Sequence, residues 1–212
     1  MTFISRRDLL KRAAVVGAAA VPANAGRPFQ GRHNEADLLE AIVARLIPTD
    51  ANGPGASEAR AAHYIDRALG GALASSRQTY TSGLAALDKY SRSSRGKPFT
   101  ELSATDQDSI LADVEKGAAT GFTGSSAAFF NLVLNHTHQG TFGDPYYGGN
   151  ANFTGWDLIG YPGIRTMVTA ADQQRLEKKD LKSNHKSAYD YEAFTKAAAQ
   201  NLSRRSPHQE GA

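Results

Sequence analysis

Apolar residues recur at helical spacing along most of the chain. In the run EADLLEAIVARLIP (35–48) they return every three or four residues, and a proline ends the pattern. Comparable runs predict further helices after Ser57, around Leu84, after Ser103 and after Ser125; serines cap three of these runs and glycines end two of them. No alternating hairpin pattern and no internal repeat occurs. The predicted class is therefore all-α, a compact helical bundle.

One predicted helix is more apolar than the others. The run SSAAFFNLVLNHTH (125–138) is apolar almost all round, which is typical of a buried helix, and we place it at the centre of the bundle. A strand is the alternative, because phenylalanine and valine favour strands, but the length and the two serine caps favour a helix. Residues 91–98 are predicted to be a polar loop and residues 178–186 a basic, solvated stretch. A short helix is predicted to begin near Gly163.

The segment HQGTFGDPYYGGNANFTGWDLIGYPG (138–163), which we call the glycine–aromatic segment, has an unusual composition. Seven of its residues are glycine and six are aromatic. The glycines and prolines disfavour long regular structure, while the rings make the segment too apolar for an idle loop or for disorder. Two interpretations remain open. The rings complete the chain's own core, or several of them face outward and dock into another protein.

The first 25 residues have the three-part pattern of an export signal. Arg6 and Arg7 precede a mild apolar run at 13–21 and a small-residue cleavage pattern that ends at Ala25. The apolar run is shorter than the roughly 20 residues that span a bilayer. Paired arginines before a weakly hydrophobic run are typical of a twin-arginine signal, which exports folded proteins. We expect cleavage after Ala25; an arginine pair that occurs by chance in an ordinary helix is the alternative.

The signal changes how the charge of the chain is interpreted. Segment 1–25 carries four basic residues and one acid, so its net charge of +3 equals that of the whole chain, and the remainder is formally neutral. Nucleic-acid binding thereby loses its main support. We expect one helical domain at 26–203 and a flexible tail at 204–212. The absence of cysteine excludes disulfides, thiolate metal sites and covalently attached haem.

Motifs for catalysis or cofactor binding are missing. The chain has no GxGxxG, no GxxxxGK[ST], no HExxH and no GxSxG. One cluster resembles metal ligands: His136 and His138, with Asp144 nearby. On a helix the two imidazoles point about 200° apart, so joint ligation would need a loop, and Asp144 before a proline is typical of a turn. A free-standing exported metal- or sugar-binding protein that uses these three residues and Trp156 is the alternative function.

Three stretches resemble one known family. The run GTFGDPYYGGNANFTGWDLIGYPG (140–163) is similar to the signature of the small subunit of membrane-associated gluconate 2-dehydrogenase, known as subunit 3 or gamma. Residues 46–69 resemble the first block of that family and residues 99–117 its middle. The likeness covers roughly residues 36–170. Gln139 stands where the family commonly has an acidic residue.

The resemblance implies a non-catalytic subunit. In this family a large FAD-dependent subunit of the glucose-methanol-choline type oxidises a sugar or sugar acid, and a multihaem cytochrome c subunit commonly passes the electrons on. The small subunit carries the twin-arginine signal and escorts the large subunit into the periplasm, so membrane association would arise only through the complex. We expect no catalytic, cofactor-binding or metal-binding residue in this chain. The expected partner interface consists of Tyr146, Tyr147, Gly148, Gly149, Asn150, Trp156 and Tyr161.

Overall fold

The computed structural model describes residues 33–195. Residues 33–188 lie in one compact unit, and residues 189–195 belong to a second unit, within which the rings of Tyr191 and Phe194 meet edge to face at 6.5 Å. The predicted export signal, the predicted tail and the predicted domain end at residue 203 lie outside the described residues. Within the described part, no helix is both long enough and apolar enough to cross a membrane.

The described residues form helices joined by turns and contain no strand, which confirms the all-α prediction. The α-helices are α1 (His33–Leu46), α2 (Ala61–Leu69), α3 (Arg77–Arg95), α4 (Ala104–Glu115), α5 (Ser126–Phe142), α6 (Thr154–Leu158) and α7 (Ala170–Glu177).

Helix α5 is the central element, as its composition predicts, and it contacts each of α1 to α4. Phe129 and Val133 of α5 are buried together with the apolar face of α3. The ring of Phe129 meets that of Tyr80 edge to face at 6.2 Å. One stripe of α5 is nevertheless exposed, so the helix is not buried all round; its members are Ala128, Asn131, Asn135 and His138.

Serine hydroxyls cap the start of two of the helices. The side chains of Ser103 and Ser125 accept hydrogen bonds from the backbone N–H groups three residues further on, at 3.2 and 3.4 Å, as predicted. Helix α2 starts differently. It begins at Ala61 and is preceded by Arg60 in a left-handed conformation (φ 59°), so Ser57 is not its capping residue.

The predicted polar loop at 91–98 is wrong over its first half, because α3 continues to Arg95 and ends at the left-handed Gly96. Serine hydroxyls bond within the helix here instead of breaking it, since those of Ser93 and Ser94 both donate to the carbonyl of Tyr90.

The short helix predicted near Gly163 is also wrong. Residues 161–169 have no helical conformation, and the backbone N–H of Ile164 donates to the distant carbonyl of Lys186 at 3.1 Å. Helix α7 begins only at Ala170, where Thr169 and Asp172 form a capping box.

Candidate partner-binding loop

The first five residues of the glycine–aromatic segment belong to α5, and the remainder, residues 143–163, is here called the glycine–aromatic loop. This loop is irregular, as predicted, but it contains two short 3₁₀ helices, Pro145–Tyr147 and Ala151–Phe153, followed by helix α6. Its conformation is fixed by bonds to the end of α5, to α2 and the turn before it, and to the segment 182–188.

The loop satisfies the backbone carbonyls at the C-terminal end of α5, where the helix itself offers no donors. The carbonyl of Gly140 accepts from the backbone N–H of Asn150 at 2.6 Å. The carbonyl of Phe142 accepts from Trp156 Nε1 at 2.9 Å, and that of Gly143 accepts from Asn150 Nδ2 at 2.8 Å. The asparagine and the tryptophan of the signature are therefore helix-capping groups.

Asn150 is the residue on which this arrangement depends most. It is fully buried, and it adopts a left-handed conformation (φ 44°) that asparagine tolerates better than most residues. Besides its two donated bonds, its Oδ1 accepts from the backbone N–H of Gly155 at 2.8 Å and, more weakly, from that of Trp156 at 3.4 Å. One side chain thus joins the end of α5 to the start of α6.

Two glycines allow the loop to lie directly on α5. A Cβ atom at Gly149 would overlap the carbonyl oxygen of Gly140, and one at Gly155 would overlap that of Thr141. The neighbouring Gly148 has a left-handed backbone (φ 97°), whereas Gly149 and Gly155 do not. Close approach of the backbone is what Gly149 and Gly155 provide.

Some aromatic residues of the loop are buried within this chain, as the first interpretation requires, and others are exposed, as the second requires. Trp156 is only 5% exposed, and its ring packs against those of Phe153 at 5.4 Å and Tyr161 at 4.8 Å. Tyr146 and Tyr147 are 54% and 44% exposed, and their rings meet edge to face at 5.4 Å. Of the residues predicted as an interface, Gly149, Asn150 and Trp156 form the interior of the loop, and the two tyrosines are on its surface.

Helix α2 and the turn that precedes it support the loop from one side. The backbone N–H of Ala151 donates to the carbonyl of Ala59 at 3.1 Å, and Nδ1 of His63 lies 3.0 Å from the carbonyl of Gly148. Gln139 of α5 accepts from the hydroxyl of Tyr64 at 3.0 Å.

The segment 182–188 supports the loop through Asp144. Asp144 Oδ1 accepts from the backbone N–H of Tyr146 at 3.0 Å and from the hydroxyl of Ser187 at 2.7 Å. Asp144 Oδ2 accepts from the backbone N–H of Ala188 at 3.1 Å. Asp144 is thus the turn former that the Asp-Pro pair predicts. The Asp-Pro pair gives no indication of its bonds to Ser187 and Ala188, which are more than 40 residues away.

A second contact of the same segment involves His185. Its Nε2 lies 2.8 Å from Asp157 Oδ1, and its ring stacks on that of Phe153 at 5.1 Å. Residues 178–186 were predicted to be solvated, and most of them are exposed, but residues 182–186 also form hydrogen bonds to residues 157–165. Charge and hydropathy alone gave no signal for these pairings, because they depend on tertiary contacts.

A comparison with protein families matches residues 33–163 to gluconate 2-dehydrogenase subunit 3. The chain belongs to this family. The matched region is more than half of the chain, contains helices α1 to α6 and ends at Gly163, before the supporting segment 182–188. Comparisons with curated proteins and with solved structures gave no match.

In this member of the subunit 3 family, the residues of the alternative metal or sugar site do not come together. His136 is buried, with its ring stacked on that of Tyr80 and its Nδ1 2.9 Å from the tyrosine hydroxyl, whereas His138 is exposed on the other side of α5. Burial lowers the pKa of His136 and raises that of Tyr80. Among residues 33–195, no group of three potential ligand side chains could hold a metal ion. Trp156 offers no open ring face for stacking a sugar.

A cavity of about 310 Å³ opens between α1, α3 and residues 98–101. Its charged lining is mostly acidic and consists of Glu35, Asp37, Asp88, Glu101 and Arg92. Asp88 has a structural role, because its carboxylate accepts hydrogen bonds from Arg92 at 2.9 Å and from the backbone N–H of Phe99 at 3.0 Å. No residue of the glycine–aromatic loop lines this cavity. The loop therefore remains the best candidate for a functional site.

Proposed function

We propose that the chain is the non-catalytic small subunit that escorts, exports and stabilises a periplasmic FAD-dependent dehydrogenase acting on a sugar or sugar acid. The observation that carries the proposal is a pair of exposed tyrosines on a loop whose backbone is fixed at many points. Tyrosine is favoured at protein interfaces because it buries a large area with few rotatable bonds and keeps a polar end. A preorganised loop also loses less entropy when it binds.

There is a physical reason for the export signal and FAD to reside on different subunits. A flavoprotein takes up FAD in the cytoplasm and must then cross the membrane folded, so its export signal can reside on a subunit that recognises the folded form. Residues 1–25, with Arg6 and Arg7, would supply that signal, and the glycine–aromatic loop would supply the recognition. In this proposal FAD belongs to the large subunit, and a multihaem cytochrome c subunit would carry the electrons to the membrane.

The proposal is tested by co-expressing the flavoprotein subunit of the native host with and without this chain and measuring dye-linked dehydrogenase activity in the periplasm. We expect activity only with the chain present, and its loss when Arg6 and Arg7 are both replaced by lysine. Equal periplasmic activity with and without the chain would overturn the proposal.

A second experiment addresses the loop itself. The double variant Tyr146→Ala, Tyr147→Ala should bind the flavoprotein subunit at least tenfold more weakly, as expected for paired aromatic hot spots of about 1–2 kcal/mol each. Leu176→Ala is the matched control, because Leu176 is 54% exposed, as Tyr146 is, but lies on α7. Equal loss of binding in the control would show that the effect is not specific to the loop.

A further inference from the structure

Backbone strain is concentrated around the glycine–aromatic loop. The non-glycine residues with positive φ in the described part of the chain are Arg60, Asn150, Asn152, Phe153, Lys179 and His185. Three of these lie in the loop, His185 stacks on Phe153, and Arg60 adjoins Ala59, whose carbonyl holds the loop at Ala151. Such conformations are costly for most side chains and tend to collect at functional sites.

Arg60 is the strained residue that local structure explains least. Helices accept serine, threonine, aspartate, asparagine or glycine at this position, and glycine would adopt the left-handed conformation without strain. The side chain of Arg60 makes no capping bond, and it is exposed. What it contributes is a guanidinium group at the start of α2.

A second guanidinium lies on the same helix beside the loop. Arg67 is exposed. Its side chain lies against the backbone of Gly148, directly after Tyr147, because a Cβ atom added to Gly148 would be 3.1 Å from Arg67 Nη1. Among residues 33–195 neither Arg60 nor Arg67 forms an ion pair. Two acids lie in the same region: Asp66 is half-buried, and Glu58 is exposed but already accepts from Thr49 Oγ1 and the backbone N–H of Gly55.

From these observations we infer that Arg60, Arg67, Tyr146 and Tyr147 form one docking surface, the Tyr–Arg surface, which binds a carboxylate-bearing face of the flavoprotein subunit. The inference rests on the proposed function for the identity of the partner. Arginine and tyrosine are the residue types most enriched at binding hot spots, and an arginine fork matches a carboxylate with two parallel hydrogen bonds. A folded protein is favoured over nucleic acid because residues 26–212 carry no net charge.

The test exploits the left-handed conformation of Arg60. In Arg60→Gly the relief of backbone strain offsets the greater freedom of glycine in the unfolded chain, so the melting temperature should be unchanged or higher. Binding to the purified flavoprotein subunit, measured by calorimetry, should nevertheless weaken on the order of tenfold, and its dependence on NaCl concentration should become shallower. Arg67→Gln should weaken binding in the same direction.

Lys179→Gly is the matched control. Lys179 is also exposed and left-handed (φ 57°) and carries the same charge, but it follows α7. It should match Arg60→Gly in melting temperature and bind the flavoprotein like the wild type. Wild-type affinity in Arg60→Gly, or equal losses in both variants, would overturn the inference and leave the proposed function intact.

Two other outcomes are informative. If the wild-type chain does not bind the flavoprotein subunit, the proposed function itself fails, and the inference fails with it. If Arg60→Gly instead loses binding to a 20-base-pair DNA duplex or to vesicles of phosphatidylcholine and phosphatidylglycerol, the surface recognises phosphate and the inference is wrong.

Discussion

Replacing Asn150 by alanine should show how much of the stability of this fold depends on the cap at the end of α5. The substitution removes a donor to the carbonyl of Gly143 and an acceptor for the backbone N–H of Gly155. The Gly155 group is buried, so leaving it unpaired costs about 2 kcal/mol, and the partly buried carbonyl adds about 1 kcal/mol. Alanine in a left-handed conformation adds about 1 kcal/mol more than asparagine does.

The expected loss is therefore about 4 kcal/mol of the free energy of unfolding, a large share of the 5–15 kcal/mol typical of a domain. For a protein of this size that corresponds to a fall in melting temperature of about 8–16 °C. Equilibrium unfolding in urea, followed by far-ultraviolet circular dichroism, measures the free energy directly. Because the substitution hardly changes the surface exposed on unfolding, the slope of the urea dependence should stay unchanged.

Two further variants separate the contributions. Asn152 is also left-handed (φ 54°) but exposed, so Asn152→Ala should cost only the backbone part, about 1 kcal/mol. Asn150→Gly removes the side-chain bonds without the backbone strain, so it should still lose about 3 kcal/mol. If Asn150→Ala lost no more stability than Asn152→Ala, the cap would not stabilise the fold and the reasoning would be refuted.

Three more predictions concern the core. Trp156→Ala should lower the free energy of unfolding by about 3–5 kcal/mol in the same urea assay, because the ring is buried within this chain. Gly83→Ala should lower the free energy of unfolding by about 1–3 kcal/mol despite the better helix propensity of alanine, because the added Cβ would overlap the ring of Phe129. Gly71→Ala is the control: its added Cβ has no neighbouring atom within 4 Å, so this variant should be neutral or stabilising. Burial lowers the pKa of His136, so on acidification the unfolded chain takes up the proton before the folded chain does. The free energy of unfolding should therefore fall as the pH is lowered below about 6.5. Between pH 7 and pH 5 the urea midpoint of His136→Gln should fall less than that of the wild type.

The sequence determined the bundle itself. Apolar spacing located α1 to α5, and the caps Ser103 and Ser125 were identified correctly, because these features depend on neighbours within a few residues; Ser126, predicted as a second cap, is instead the first residue of α5. The same holds for Asp144, whose role in the turn follows from the proline beside it. The resemblance to the subunit 3 family, which the family comparison confirms, likewise needed only the order of residues in three stretches.

Only the tertiary structure decided what the glycine–aromatic segment does. Composition could not assign Trp156 to the interior and Tyr146 and Tyr147 to the surface, because all three are aromatic and their burial depends on the end of α5, on α2 and on residues 182–188. From the sequence, Gly149 is likewise expected to be a turn residue. The structure shows that glycine is needed there because the carbonyl of Gly140 leaves no room for a Cβ atom. Local pattern fixes which residues form a helix, whereas burial and capping by distant groups depend on contacts between residues far apart in the sequence.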